Sequence, residues 1–377
     1  MTSAPAEFLD RRRGALSHTL AHRRLDALVV SSRPNIAYLT GFFGSSGVLL
    51  ATRDRLILVS DGRYQEILHG LAKAVPGLTA VVVPPGGGSV EESLVATVAR
   101  LAPSRVGFES AHLTVRQHVD LTGRLASLGC KVELVPTEGL VETGRAVKDD
   151  WEVGRLREAG RRLSDVAKCI IPNVLAGSAE RDLAARIEWE LRQKGFDKPA
   201  FDTIVASGPN AALPHHRAGD RRLADGDLVV IDFGGLLDGY AVDMTRTVTV
   251  GPPDGRQREC WLAVAAAQRA AFAAARVGVD AEDVDAAART ALAAVGMAEA
   301  FGHGLGHGLG LEVHERPRLS RRRPGASEGP LLSGMVFTLE PGVYFPGWGG
   351  VRIEDDVLAT EAGPEWLTEP VAEVRAT

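Results

Sequence analysis

The stretch IDFGGLLDGYAVDMTRT (residues 231–247) has two strand-like halves with one aspartate in each, Asp232 and Asp243. Between them lies Leu-Leu-Asp-Gly, which suits a tight turn centred on either 237–238 or 238–239. The two aspartates are direct cross-strand partners in the first register and diagonal neighbours in the second. Both registers place the carboxylates on one face, because strand side chains alternate. Like charges roughly 5–8 Å apart on one sheet face repel and favour a bound cation.

Two more carboxylates follow, each among apolar residues. Glu340 ends the apolar segment MVFTLEPG, and Glu354 lies in GGVRIEDDVLAT. Glycines bracket both segments and let the backbone bend towards a common site. A buried carboxylate is costly unless it is paired or binds a metal. Because successive strand side chains point to opposite faces, we expect Asp355 to point away from the face of Glu354.

Half of the ten histidines fall in two short segments, SGPNAALPHH and GHGLGHGLGLEVHE: His215, His216, His303, His307 and His314. The four-residue spacing of His303 and His307 would suit a metal-binding pair on a helix. Alternate glycines oppose a helix here, and Gly304 stands where the HExxH motif needs glutamate. We therefore expect only one of these two histidines to bind metal.

Four carboxylates with one imidazole and no thiolate form an oxygen-rich ligand set. Such a set fits Mn²⁺ best, with Co²⁺ and Zn²⁺ as alternatives. Four carboxylates carry too much negative charge for one metal ion, which favours two. Two divalent ions roughly 3.5–4 Å apart can share a water, lower its pKa and polarise a carbonyl group. The residues themselves therefore predict hydrolysis of a peptide or amide bond.

The composition excludes several classes of protein. Of 377 residues, 45% are hydrophobic and 24% charged, which is typical of a globular chain long enough for two domains. With a net charge of −5 and interspersed signs, we expect no nucleic-acid partner. We interpret the basic run at 316–323 as a solvated surface loop.

Cysteine usage and apolar runs indicate the compartment. The three cysteines are widely spaced, which disfavours a disulfide framework and a thiolate zinc site. The first residues lack an apolar segment, so we expect no signal peptide. The apolar run at 263–275 is too short and too polar to span a bilayer. We expect a cytoplasmic, reduced protein with no membrane partner.

The pattern changes once along the chain. Over residues 1–142, strands alternate with helices, which predicts an α/β domain. Residues 143–377 begin with two charged amphipathic helices and continue with strands and glycine-rich turns, which predicts an α+β domain.

Four motifs, IDFGGLLDGYAVDMTRT, GHGLGHGLGLEVHE, FTLEPGVY and GGVRIEDD, resemble in order and spacing those of the pita-bread metallopeptidases. This family includes methionine aminopeptidases, prolidases and Xaa-Pro aminopeptidases, and the resemblance covers essentially the whole chain. It implies an α+β pita-bread domain with an antiparallel sheet, preceded by a smaller α/β creatinase-type N-terminal domain. It also implies five metal ligands: Asp232, Asp243, His307, Glu340 and Glu354.

The resemblance assigns further roles. Asp243 and Glu354 would bridge both ions, and Glu340 would also be the acid and base that moves the proton. His215 would lie near the substrate carbonyl and amide, and His314 would stabilise the tetrahedral intermediate. The residues that contact the substrate would be His303, Tyr344 and Arg352. An imidazole suits the role given to His314, because it can donate to a developing oxyanion.

The first domain narrows the function. Methionine aminopeptidases lack such a domain, whereas NIAYLTGFFGSSG and SDGRY resemble that of Xaa-Pro aminopeptidases. We therefore expect an aminopeptidase that cleaves between a first residue and a following proline, by a hydroxide bridging two metal ions. The family implies a homodimer in which this domain reaches the partner's active site. Phe42 and Phe43 would then cover the substrate.

Two alternatives remain. One is an Xaa-Pro dipeptidase (prolidase) with the same chemistry and a cleft closed to longer peptides by loops such as 318–330. The other is a non-catalytic peptide-binding protein on the same fold, which the five intact ligands disfavour.

Overall fold

The computed structural model describes residues 3–322, 324–325 and 327–371. The chain forms two compact units, Thr2–Arg145 and Ala146–Thr377. None of the helices in these described ranges is long and apolar enough to cross a membrane.

The first unit contains a six-stranded sheet with helices between its strands. Its elements are α1 (Ala6–His22), β1 (Ala27–Val30), α2 (Arg33–Thr40), β2 (Val48–Thr52), β3 (Leu56–Asp61), α3 (Gln65–Ala74), β4 (Leu78–Val83), α4 (Val90–Leu101), β5 (Arg105–Glu109), α5 (Val115–Ser127) and β6 (Glu133–Thr137). The strand order is β4-β3-β2-β1-β5-β6. The pairs β1–β2 and β2–β3 are antiparallel and the others are parallel, so this is the predicted α/β layer.

Of the two residues predicted to cover the substrate, Phe42 and Phe43, the first has a structural role. Phe42 is buried, and its ring packs edge-on against Tyr64 with the centroids 5.2 Å apart. Its side chain therefore serves the interior of the unit, contrary to the expectation that it covers a substrate. Phe43 is half-buried, and its role stays a prediction.

A short helix, α6 (Glu142–Ala146), precedes the elements of the second unit. These are α7 (Asp150–Ile170), α8 (Glu180–Gln193), β7 (Lys198–Pro199), β8 (Ile204–Ser207), β9 (Leu228–Leu237), β10 (Tyr240–Thr249), α9 (Gly255–Ala274), α10 (Ala281–Ala293), β11 (Gly306–Gly308), β12 (Glu315–Leu319), β13 (Val336–Leu339), β14 (Gly342–Phe345), β15 (Gly349–Arg352), β16 (Asp355–Thr360) and β17 (Gly363–Trp366).

The strands of the second unit form antiparallel sheets. The hairpin β9–β10 is extended by β7 and β8, which both pair with β9. A second sheet has the order β12-β11-β13-β16-β17, and β14 pairs with β15. A bridge between Thr245 and Glu354 ties β10 to the junction of β15 and β16. The predicted α+β fold with antiparallel sheets is confirmed.

Two helix pairs bury the outer faces of these sheets. Leu163 of α7 and Ile187 of α8 share one apolar core with Val242 of β10. Val264 of α9 belongs to a second core together with Phe337 of β13. Burying each such side chain stabilises the fold by about 1.5–3 kcal/mol. The strands are thereby fixed, and residues on them or directly beside them carry the candidate site.

Candidate metal centre

The β9–β10 hairpin has the second of the two predicted registers. Leu237 pairs with Tyr240, and the turn residues Asp238 and Gly239 have φ values of 52° and 85°. Positive φ at both central residues is typical of a type I′ turn, which matches the twist of the strands. Asp232 therefore lies opposite Thr245, two positions from Asp243 on the same strand. The two aspartates are diagonal neighbours on one face, and both line one cavity.

The two glutamates are fixed by backbone hydrogen bonds just outside regular strands. Glu340 follows β13, and its N–H donates to the carbonyl of Leu305 at 2.8 Å. Glu354 lies between β15 and β16, where its N–H donates to the carbonyl of Thr245 at 3.1 Å. The Thr245 hydroxyl donates in turn to Glu354 Oε2 at 2.6 Å. These bonds hold both glutamates beside the hairpin that carries the aspartates.

Close strand packing explains the glycines around His307. The short strand β11 runs between β12 and β13. A Cβ on Gly306 would overlap the carbonyl of Thr338, and one on Gly308 would overlap that of Arg316. Only glycine permits this approach on both sides. This close packing places His307 beside the carboxylates of Asp243 and Glu340.

Three of the five predicted ligands form a tight group. One ligand atom each from Asp243, His307 and Glu354 lie within 4.8 Å of one another. Glu340 adjoins this group, with its Oε1 3.7 Å from His307 Nε2. Asp232 lines the same cavity, but its Oδ2 accepts a 2.5 Å hydrogen bond from Arg352 Nη2.

The carboxylates oppose one another's ionisation. Burial raises the pKa of Asp243 well above its usual value, and the charges of Glu354 and Asp232 add to the effect. Burial and Asp232 raise the pKa of Glu354 to about 8. Burial and Glu354 likewise raise the pKa of Glu340. So many carboxylates at one point favour either protons or cations.

Unsatisfied oxygens show that the residues fit divalent metals. Asp232 Oδ1 and Asp243 Oδ1 are buried and have no hydrogen-bond partner among the described residues. Buried polar atoms are nearly always satisfied, and a metal ion would satisfy these two.

Burial lowers the pKa of three histidines of the site, His303, His307 and His314, which favours their neutral form. Burial and His314 lower the pKa of His307 to about 4, and burial lowers that of His303 to about 4. His307 Nδ1 lies 3.1 Å from the carbonyl of Gly308. A proton donated there leaves Nε2 free to bind a metal, the arrangement usual for histidine ligands.

The predicted substrate-binding residues form a hydrogen-bonded chain. Arg352 Nη1 donates to the Tyr344 hydroxyl at 2.9 Å, and that hydroxyl lies 2.9 Å from His303 Nε2. Arg352 Nε donates to the hydroxyl of Thr245 at 3.1 Å. This chain leads from His303 to Asp232, so it orients a carboxylate as well as lining the cavity. Sequence reasoning missed Thr245, whose hydroxyl contacts both Arg352 and Glu354.

The GGVRIEDD segment places its last two aspartates differently. Asp355 pairs with Arg246 at 2.6 Å and accepts from Thr368, away from the ligand group, as predicted. Asp356 Oδ2 accepts from the backbone N–H of Asp243 at 3.1 Å, and burial raises its pKa. Sequence reasoning missed Asp356, although strand alternation puts it on the face of Glu354.

Charged and exposed residues surround the mouth of the cavity, which has a volume of about 550 Å³. His215 and His314 lie there, together with Arg217 and Arg318. Neither arginine has an ion-pair partner in the described part of the chain. The loop predicted at 316–323 is wrong for residues up to 319, because they belong to β12 and its pairing with β11 orders them. Arg323 lies outside the described residues.

Comparisons with known proteins agree with this geometry. Residues 154–361 match the metallopeptidase family M24, and residues 12–147 match the creatinase/prolidase N-terminal domain. The Xaa-Pro dipeptidase from Bacillus anthracis superposes with a TM-score of 0.90 and 32% identity, covering 98% of this chain and all of that one. The X-Pro aminopeptidase from Thermotoga maritima gives a TM-score of 0.85 and 32% identity over 97% of this chain and 99% of that one.

A sequence relative covers both units. The uncharacterized peptidase YqhT of Bacillus subtilis is 37% identical over 350 residues, which is 93% of this chain and 95% of that protein. The predicted fold and family are thereby confirmed. With its paired carboxylates, its single ligand histidine and matches across both units, the chain belongs to metallopeptidase family M24, a family of hydrolases that depend on a dinuclear metal site.

Proposed function

We propose that the protein hydrolyses the bond between a first residue and a following proline in short peptides, and that dipeptides are its main substrates. The observation that carries the choice of dipeptides is the pair of arginines at the cavity mouth, Arg217 and Arg318. In an Xaa-Pro dipeptide, a free carboxylate lies one residue beyond the bond that is cleaved. A guanidinium group recognises such a carboxylate through paired hydrogen bonds, whereas a longer peptide has a neutral amide there.

The electrostatics of the mouth support a place for this carboxylate. After burial, the charge of Arg318 is the largest cause that lowers the pKa of His314. The charge of the guanidinium therefore reaches His314 at the mouth of the cavity, although both side chains are exposed. An anion that entered beside His314 would meet this charge.

The five ligands Asp232, Asp243, His307, Glu340 and Glu354 would hold two divalent ions, with Mn²⁺ as the proposed metal. When bound, these ions supply a water of lowered pKa and a polarised substrate carbonyl. Two observations support this assignment: the buried carboxylates repel one another when they are charged, and two aspartate oxygens have no hydrogen-bond partner among the described residues.

Residues of the chain would supply the proton transfers and bind the developing charge. Glu340, whose pKa is raised by burial, takes a proton from the attacking water and returns it to the leaving nitrogen. The prolyl nitrogen carries no hydrogen in the peptide, so it needs that proton to leave as an amine. We place His215 beside the substrate carbonyl and amide, and His314 as a donor to the oxyanion. His303, Tyr344 and Arg352 line the substrate side.

An Xaa-Pro aminopeptidase acting on longer peptides is the second candidate. The exposed mouth favours it, because His215, His314 and Arg318 all reach solvent. The first unit does not separate the two candidates, since the dipeptidase and the aminopeptidase structures both cover nearly the whole chain. The homodimer and the cytoplasmic location stay predictions.

Hydrolysis of Ala-Pro and Ala-Pro-Ala by the purified protein with Mn²⁺ tests the proposal. We expect the dipeptide to have the higher kcat/KM and both activities to vanish with a chelator. A faster tripeptide would make the protein an aminopeptidase. Cleavage of neither peptide by metal-loaded protein would overturn the proposed substrate class.

A further inference from the structure

A buried glutamate outside the group of metal ligands is bonded to the segment that carries His215. Glu180 is the first residue of α8, and its side chain is fully buried. Its two carboxylate oxygens together accept five hydrogen bonds, and all five donors lie in the segment 207–219, which we call the His215 loop. The donors are the N–H and hydroxyl of Ser207, the amide of Asn210, the ring Nε2 of His216 and the N–H of Gly219.

The distances show that both oxygens of the Glu180 carboxylate accept hydrogen bonds. Glu180 Oε1 accepts from the Ser207 N–H at 2.8 Å and from Asn210 Nδ2 at 3.0 Å. Glu180 Oε2 lies 2.8 Å from His216 Nε2 and 3.3 Å from the N–H of Gly219. Burial alone would raise the pKa of Glu180, but the bonds from Asn210 and Ser207 lower it below its usual value. The group is therefore an anion that the loop wraps.

Backbone contacts continue the same attachment. The Glu180 N–H donates to the carbonyl of Arg221 at 3.0 Å. Arg221 Nη1 donates to the Ser207 hydroxyl at 2.6 Å and to Asp227 at 2.6 Å. Both ends of the His215 loop are thus fastened to the start of α8.

His215 itself has no comparable anchor. Its side chain is exposed, and no hydrogen bond or ion pair of its ring is present among the described residues. The adjacent carbonyl of Pro214 accepts from Arg352 Nη1, but at 3.4 Å this bond is weak. The direction of the imidazole into the cavity therefore depends on the backbone of its loop. That backbone is bonded to Glu180 at both ends of the loop, through the N–H groups of Ser207 and Gly219, and Ser207 also pairs with Val229 of β9.

We propose that Glu180 is a positioning residue, which acts through His216 and Ser207 to hold His215 at the substrate end of the cavity. This inference rests on the proposed function for the role of His215. Glu180 contacts none of the five metal ligands, so its effect is separate from metal binding. Misplacing a catalytic group by about 1 Å can reduce the rate on the order of 100-fold.

The test compares Glu180→Gln with Glu190→Gln in the metal-loaded protein. Glu190 is also buried and lies on α8, but its carboxylate pairs with Arg186 and not with the His215 loop. For Glu180→Gln we expect kcat on Ala-Pro to fall about 100-fold, with a smaller change in KM and unchanged metal content. For Glu190→Gln we expect near wild-type kinetics. Equal losses in both variants would overturn the proposal.

A double-mutant cycle with His215→Ala separates positioning from a general structural effect. If Glu180 acts through His215, Glu180→Gln adds no further loss once the imidazole is absent. Losses that multiply would overturn the proposal, because Glu180 would then act by another route.

Amide hydrogen exchange gives a readout that does not need activity. In Glu180→Gln, we expect exchange in residues 207–219 to accelerate roughly 10-fold or more, with no change in β13 and β16. If wild-type protein cleaves no Xaa-Pro peptide, the proposed function fails while this measurement still decides whether Glu180 holds the loop. Unchanged exchange would overturn the inference. If Glu180→Gln does not fold, His216→Ala removes one bond and should give the same effects at smaller size, whereas no effect would count against the proposal.

Discussion

Two parts of the active-site cavity differ in how the fold holds them. The ligand floor comprises Asp232, Asp243, His307, Glu340 and Glu354, which lie on or directly beside paired strands. The rim comprises His215, His314, Arg217 and Arg318, whose side chains are exposed at the mouth. Strand register and hydrogen bonds beside the strands fix the floor. In the rim, the pairing of β12 with β11 orders Arg318, whereas His215 and Arg217 lie in a loop that is bonded to α8. The comparison indicates that the metal ligands are built into the sheets, whereas part of the rim lies in a loop outside regular strands.

The two parts also differ in charge. The floor contains four carboxylates, and burial raises the pKa of Asp243, Glu340 and Glu354. The rim adds two arginines that have no ion-pair partner among the described residues. The floor therefore needs cations in order to be ionised and stable, while the rim attracts anions. A metal ion and a substrate carboxylate would each satisfy one of these needs.

The largest loss of activity should follow the removal of one carboxylate from the tight group of ligands. Asp243→Asn should lose bound metal and reduce hydrolysis of Ala-Pro to the level of chelated wild-type protein, because Asp243 joins His307 and Glu354. Metal analysis together with activity checks this. Asp254→Asn is the control, since asparagine also caps a helix and Asp254 caps α9. Retention of two metals by Asp243→Asn would contradict the bridging role.

A second change tests chemistry within the floor. Glu340→Gln should keep the fold and reduce kcat on the order of 10²–10⁴-fold, the usual size of general acid–base catalysis. Circular dichroism and steady-state kinetics measure the two effects. Near-normal turnover in this variant would refute the assignment of Glu340 as the proton carrier.

A change at the rim should alter selectivity more than chemistry. We expect Arg318→Ala to lower kcat/KM for Ala-Pro about tenfold, the size of one charge-assisted contact, and to leave Ala-Pro-Ala nearly unaffected. Arg316→Ala is the matched control, because Arg316 lies on the same strand and pairs with Glu328 instead. Equal losses on both peptides would remove the argument for dipeptides.

The smallest expected effect is on the stability of metal-free protein. The pKa of Glu354 is raised to about 8 by burial and Asp232. The folded state then binds more protons than the unfolded chain, so stability falls as pH rises towards 8. His303 and His307, with pKa values lowered to about 4, oppose this slope only below the ordinary histidine pKa of about 6.5. We therefore expect Tm to fall between about pH 6.5 and 8.

Thermal unfolding of chelated protein across this pH range measures the effect. Each proton lost on unfolding contributes about 1.4 kcal/mol per pH unit. Glu354→Gln should flatten the slope, and saturating Mn²⁺ should abolish it. A Tm that rises over this range in chelated wild-type protein would show that the floor carboxylates are not held as described.

The residues of the floor could be predicted from the sequence because each prediction depends only on neighbouring residues in a short segment. Period-two alternation is enough to place Asp232 and Asp243 on one face. The order of the motifs predicts that His307, Glu340 and Glu354 join them, and all five residues line one cavity. Alternation could not choose between the two turn registers. That choice depends on Asp238 and Gly239 adopting positive φ together, which requires the folded hairpin.

The sequence did not predict what supports the rim. Glu180 meets residues 27 to 39 positions away, and nothing in its own segment marks it as different from the other acidic residues of α8. Arg318 lies in a basic run whose composition is typical of a surface loop. The segment forms strand β12 because it pairs with β11, which is a distant contact that the run itself does not indicate. Both depend on long-range contacts that only the assembled fold supplies.

The central claim is that the floor binds two metal ions which hydrolysis requires. The most direct test is to titrate Mn²⁺ into chelator-treated protein while following binding and Ala-Pro hydrolysis together. We predict two bound equivalents, with full activity reached as the second site fills. Full activity before any Mn²⁺ is added, or binding that is the same in wild-type protein and Asp243→Asn, would contradict the claim.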